Sequence, residues 1–186
     1  ASGNDIRRYA AEITGLIHIL SSRASKSSSG SIAHYREAHG TVPLWVLAND
    51  LTFGNLEHFF NLMRPVEQKA FCKTIAESTG RLGDKTLGHF NVGKARVSLE
   101  ILVKFRNICA HDERLYCARV GGRKNVNYAM MVWMLERYLP EEEFVRFLTD
   151  FIKMIEESLT KDRAFVHVLT LAGFPEIASE MKNRLP

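Results

Sequence analysis

No stretch of the sequence approaches the run of about 18 apolar residues that a membrane-spanning helix needs, so such a span is excluded on length. The first residues, Ala1 to Tyr9, carry Asp5, Arg7 and Arg8 and no apolar core, which argues against a secretory leader. Cysteine is scarce: Cys72, Cys109 and Cys117, with no C-x-x-C pair. So odd and sparse a set offers neither a disulfide framework nor a zinc knuckle, and it fits a reducing, cytoplasmic setting. Cys109 and Cys117 could face each other loosely on one helix, but buried, inert thiols are the expectation. His18, His34, His39, His58, His89 and His167 have no mutual metal spacing and no H-E-x-x-H occurs, so no metal or cofactor is expected. Charge of one sign does not dominate: 25 Lys and Arg against 21 Asp and Glu give a net charge of +4. That balance, with a pI near 9.0, permits a polyanionic partner without demanding one. Sustained β alternation and solenoid repeats are also missing.

What is present is helical periodicity over 186 residues that are 46% hydrophobic, enough for a sizeable core. A first helix is expected from Asp5 to about Leu20, with Ile6, Ile13, Leu16, Ile17 and Leu20 as its apolar stripe. A flexible serine-rich loop, Ser21 to Ser31, should follow. Beyond it the pattern predicts a short helix at His34–Ala38, a long segment from Leu44 to Met63, and a helix from Val66 to Ser78 closed by Gly80 and Gly83. The longest helix should begin between Leu87 and Gly93 and reach about Tyr116. Helices at Tyr128–Tyr138 and Glu141–Lys161 come next, then a last turn or short helix after Gly173-Phe174-Pro175. Residues 1–30 thus read as a helix with its loop, and residues 31–186 as one helical domain. The fold class is all-α, a helical bundle.

The most informative stretch is Ser98 to Cys117. On a continuous helix Val97, Ile101, Phe105, Ile108 and Leu115 share an apolar face flanked by Leu102 and Cys109. Asn107, His111 and Arg114 then stack in one line on the other side, with Arg106 beside them and Ala110 leaving room for a close approach. These residue types suit RNA cleavage, in which the 2′-hydroxyl attacks its own phosphate. Histidine can move a proton as base or acid near neutrality. Arginine offers a fork of donors where charge gathers on the phosphate. Asparagine can orient the histidine or hold a phosphate oxygen. An arginine and a histidine with four to six residues between them arise by chance about once or twice in such a chain. Context has to carry the reading.

Arg106-Asn107-Ile108-Cys109-Ala110-His111, with Arg114-Leu115 after it, resembles the "RNxxAHxxRL" signature of the Abi-like abortive-infection family, a branch of the HEPN superfamily. Val42 to Leu47 and Leu51 to Leu56 resemble its "PxW" and "FGxL" segments, and Gly173-Phe174-Pro175 its "GFP" motif, all in the right order. The resemblance covers roughly residues 30 to 180. It implies an all-α HEPN fold and a homodimer in which two copies of the motif form one composite cleft. It also implies metal-independent endoribonuclease activity used in phage defence or as a toxin, with a protein or small-RNA antitoxin as a partner. On that basis Arg106 and His111 would be catalytic, Asn107 would support them, and Arg114 would position or contact RNA. The chain departs from the pattern at Tyr116-Cys117, where members usually carry Trp-Asn, and at Ala48-Asn49, where an acidic residue is common. Members are usually longer at the N-terminus, so the resemblance leads to the expectation of a fragment or a shortened member. The rival readings are a non-catalytic RNA-binding or toxin–antitoxin module on the same scaffold, and a purely structural helical dimer.

Other features have plainer readings. Trp45 and Phe53, with Leu56, Phe59 and Phe60, could form a platform for RNA bases, but their helical spacing favours core contacts. Gly54 suggests a kink or close helix packing. The Gly-Gly loop carrying Arg119, Arg123 and Lys124 is either a phosphate grip or a solvated turn. Glu141-Glu142-Glu143 suits the first turn of a helix, where negative charge meets the positive end of the dipole.

Overall fold

The computed structural model describes residues 3–80, 90–111, 113–122, 125–175, 178 and 183. Among them the regular elements are all helices, joined only by an isolated antiparallel bridge between Val120 and Val126, so the fold is all-α as expected. None of the described helices is long and apolar enough to cross a membrane. The chain divides into two compact units, Ala1–Gln68 and Lys69–Pro186.

In the first unit, α1 spans Gly3–Lys26, α2 Gly30–His39, α3 Leu44–Ala48 and α4 Phe53–Leu62. The serine-rich stretch is therefore not a loop from Ser21: helix continues to Lys26 and only three residues separate it from α2. Tertiary contacts override the weak helix propensity of serine here. Ala24 packs against the buried cluster of Ile32, Val46 and Leu47. Arg36 donates from one guanidinium nitrogen to the carbonyls of Ala24, Ser25 and Ser27, covering groups that the end of α1 leaves without helical partners. Leu16 is buried as the stripe requires, whereas Ile17 is 56% exposed and does not belong to it.

The expected segment from Leu44 to Met63 is two helices, because Thr52 starts a new one. Its hydroxyl accepts from the Asn55 N–H while Asn55 Oδ1 accepts from the Thr52 N–H, a reciprocal cap. At the far end of α4, buried Gln68 donates to the Phe60 carbonyl at 2.8 Å. Trp45 corrects the core expectation: it is 65% exposed, its ring edge-on to Tyr35, while Phe60 is buried. Helix α5, Pro65–Ser78, follows and ends at Thr79-Gly80, with Gly80 in the left-handed region.

The second unit contains α6 (Val92–Ala110), α7 (Tyr128–Met134), α8 (Glu141–Lys161) and α9 (Phe165–Ala172). Helix α8 has the span its sequence predicts, and α9 occupies residues for which no helix was expected. The expected helix at Tyr128–Tyr138 is α7 plus one tighter turn at Leu135–Arg137. Phe144 and Leu148 on α8 join Ala129, Val132, Ala172 and Phe174 in the main core. Each large side chain so buried contributes about 1.5–3 kcal/mol.

Gly173-Phe174-Pro175 has a structural role. Gly173 ends α9 with φ of 87°, and a Cβ there would fall inside the amide of Asn127. Asn127 in turn caps α7 by accepting from the Met130 N–H. Phe174 is buried and its ring meets those of Tyr128 and Phe151. Replacing Gly173 with alanine should cost about 1–2 kcal/mol in backbone strain, and about 1 kcal/mol more where the Asn127 cap is displaced. A drop in melting temperature of roughly 5–10 °C is expected for Gly173→Ala; an unchanged melt would show that the close approach is not required.

Burial raises the pKa of Tyr128 above its usual value of 10.0, and that of Tyr138 also, there opposed by a hydrogen bond with Ser98 at 2.6 Å. The unfolded chain gives up these protons more readily, so stability should be intact below pH 10 and fall as pH rises past it. Denaturant midpoints from about pH 9 to about pH 11 should decline, and Tyr128→Phe should flatten the decline.

Candidate functional site

Helix α6 starts at Asn91, whose side chain accepts from the Lys94 N–H. Ala95, Ser98, Leu99, Ile101 and Phe105 are its buried residues, and Val97, Ile108 and Leu115 pack around Ile101 and Phe105. One step of about 100° from buried Phe105 brings Arg106 to the outside, and Asn107 follows it. Both are exposed, and Arg106 donates to Asn107 Oδ1 at 3.1 Å.

The helix then stops, earlier than expected. Ala110 is its last residue and His111 its C-cap, with the His111 N–H donating to the carbonyls of Asn107 (3.0 Å) and Ile108 (3.3 Å). Arg114 lies outside the helix with φ −73° and ψ 93°, and Leu115–Cys117 form a single tight turn. The straight line of Asn107, His111 and Arg114 is thus corrected: the first two belong to the last turn and cap of α6, and Arg114 to an extended segment. Beyond the break, Leu115 packs on the Phe105 cluster and Tyr116 on the neighbouring core of Ala129 and Phe144. All four polar residues, Arg106, Asn107, His111 and Arg114, are exposed.

The basic loop is placed only in part. Arg119 donates to the Leu171 carbonyl at 2.7 Å and to its neighbour Ala118 at 3.0 Å, so its guanidinium is held at the carboxyl end of α9. Gly121, Gly122 and Asn125 have positive φ, and Val120 and Val126 on either side pair in the isolated antiparallel bridge. Arg123 and Lys124 lie outside the described residues, as does Asp112. Cys109 and Cys117 are exposed, against expectation, and the helix that would have carried both ends between them; Cys72 is buried. Among the described residues no group of three or more His, Cys, Asp or Glu could hold a metal ion.

A family model for Abi-like proteins matches residues 3–117, well over half of the chain. The chain belongs to the Abi-like family. No curated protein and no solved structure matches it. The match begins within α1 rather than near residue 30, so the N-terminal helix is part of the Abi-like segment. It ends at Cys117, just past the Arg106–Leu115 signature, and Gly173-Phe174-Pro175 lies beyond it. Within this Abi-like chain the signature residues separate into two sets: Ile108 and Leu115 go to the core cluster, while Arg106, Asn107, His111 and Arg114 face solvent.

Thiol chemistry offers a direct check on this geometry. Burial pushes the Cys72 thiol up and so suppresses the reactive thiolate. A maleimide should modify Cys109 and Cys117 in the native protein and Cys72 only after unfolding. Rapid reaction of all three would contradict the placement of Cys72.

Proposed function

We propose that this Abi-like protein is a metal-independent, HEPN-type endoribonuclease that acts in abortive infection, a phage defence, or as a toxin. The observation that carries the proposal is the exposed group Arg106, Asn107, His111 and Arg114 at the end of α6. Folding leaves these side chains out of the core, and Arg106 already meets Asn107. Among the described residues none of the four forms a salt bridge, so the group is free to meet a charged ligand.

The chemistry is a transesterification. A histidine takes the proton of a 2′-hydroxyl, the 2′ oxygen attacks phosphorus, and the bond to the 5′ oxygen breaks. A second group gives the leaving oxygen its proton, leaving a 2′,3′-cyclic phosphate and a 5′-hydroxyl. Arg106 stabilises the charge on the non-bridging oxygens, and Asn107 orients the guanidinium. Arg114 contacts the strand, and Arg119, Arg123 and Lys124 are secondary phosphate contacts. One histidine cannot be base and acid in the same step, so a homodimer with two copies of His111 meets the requirement. A cytoplasmic location fits an enzyme of this kind, and a protein or small-RNA antitoxin is the expected restraint.

The test is cleavage of a labelled mixed RNA pool in EDTA. The wild type should cut and leave cyclic phosphate ends, and His111→Ala should slow cutting by about 10²–10⁴ while remaining dimeric in sedimentation. An unchanged rate in His111→Ala sinks the proposal. Intact RNA with the wild type, accompanied by salt-sensitive binding, selects the non-catalytic RNA-binding module instead.

A further inference from the structure

The first unit contains an open groove of about 470 Å³, one of whose lining residues, Asn55, lies in the FGxL segment. It runs along one face of α1, where His18, Ser22 and Lys26 repeat every four residues with Arg23 and Ser27 beside them, and Asn55 of α4 lines it from across. Among the described residues that line it there is no aspartate or glutamate. Its polar side chains are instead dominated by donors. Lys26 makes no salt bridge to a described residue, and Arg23 spends one nitrogen on Asp50 at 3.4 Å. Asn55 commits its amide oxygen to Thr52, which leaves its two amide N–H groups for a ligand. The Ser27 hydroxyl accepts from the Ser29 N–H and retains its own proton to donate.

The groove lies at the carboxyl end of α1, where bare carbonyls would ordinarily repel an anion. Here Arg36 covers the carbonyls of Ala24, Ser25 and Ser27 and adds a positive charge behind them. From His18 to Lys26 is eight residues, a length of about 12 Å along the helix. That is longer than a single phosphate group and suits consecutive phosphates of a strand.

We infer that the α1 groove of His18, Ser22, Arg23, Lys26 and Asn55 is a second nucleic-acid site that holds the phosphate backbone of a single RNA strand. The inference rests on the reading of RNA as the ligand but not on catalysis. It calls for a cation-rich surface that grips charge without reading sequence.

The test is anisotropy of a labelled single-stranded RNA against the full chain carrying His111→Ala, so that the probe stays intact, over a series of salt concentrations. Adding Lys26→Ala should weaken binding several-fold at low salt and reduce the slope of log affinity against log salt by about 0.7, the contribution of one lost phosphate contact. The same charge change at exposed Lys153 on α8, outside the groove, should leave the slope unchanged. Equal slopes for the Lys26 variant and its parent overturn the site, as does an equal loss at Lys153, which would mean net charge alone. Lys26-dependent binding by a wild-type chain that cuts nothing would leave this site standing and remove the catalytic reading. Cleavage with Lys26-independent binding would do the reverse.

Discussion

Ile101 and Phe105 on α6 are almost wholly withdrawn from water, and the orientation of everything around them follows from that. With those two faces fixed, the 100° step of the helix leaves Arg106 and Asn107 no place but the surface. Leu115 packs on the same cluster, although the chain has already left the helix at His111. The exposure of the polar residues is therefore a by-product of apolar packing: the buried face of α6 fixes which side chains are left to solvent. Changes to Phe105 or Leu115 would disturb the group without touching any of its members.

The rest of the second unit supports this arrangement through shared residues. Asn127 caps α7 and also receives the close approach of Gly173, tying the start of one helix to the end of another. Phe174, one residue on, fills the space between Tyr128 and Phe151. Arg119, just past the Abi-like segment, reaches the same end of α9 through the Leu171 carbonyl. A cation at the negative end of a helix is favourable in itself. Arg119 thus has a clear use in the fold, and any hold on phosphate would draw on the donors it has left.

Much of this was legible in local pattern. The span of α8 follows from Pro140, three glutamates in the first turn and a strong apolar stripe. The all-α class follows from the period of the hydrophobic residues, and family membership from short motifs in order. Several of the misread parts depend on packing that the local pattern does not display. Ser21–Lys26 looks like a linker until Arg36 and the Ile32 cluster hold it as helix. Trp45 has the spacing of a core residue, yet its neighbours Val46 and Leu47 take the buried positions.

By itself, the sequence determined which side chains could do chemistry and that they would lie on or beside a helix, because residue type and helical period are local properties. Nothing local marks the end of α6, since no glycine or proline occurs between Arg106 and Cys117. Only the tertiary structure decided that His111 caps the helix while Arg114 leaves it; beyond that point Leu115 and Tyr116 pack on two different clusters, contacts that no local pattern displays. The α1 groove also belongs to the tertiary structure. Its cations are ordinary surface residues in the sequence, and only the placing of Asn55 opposite them and Arg36 behind them makes a site.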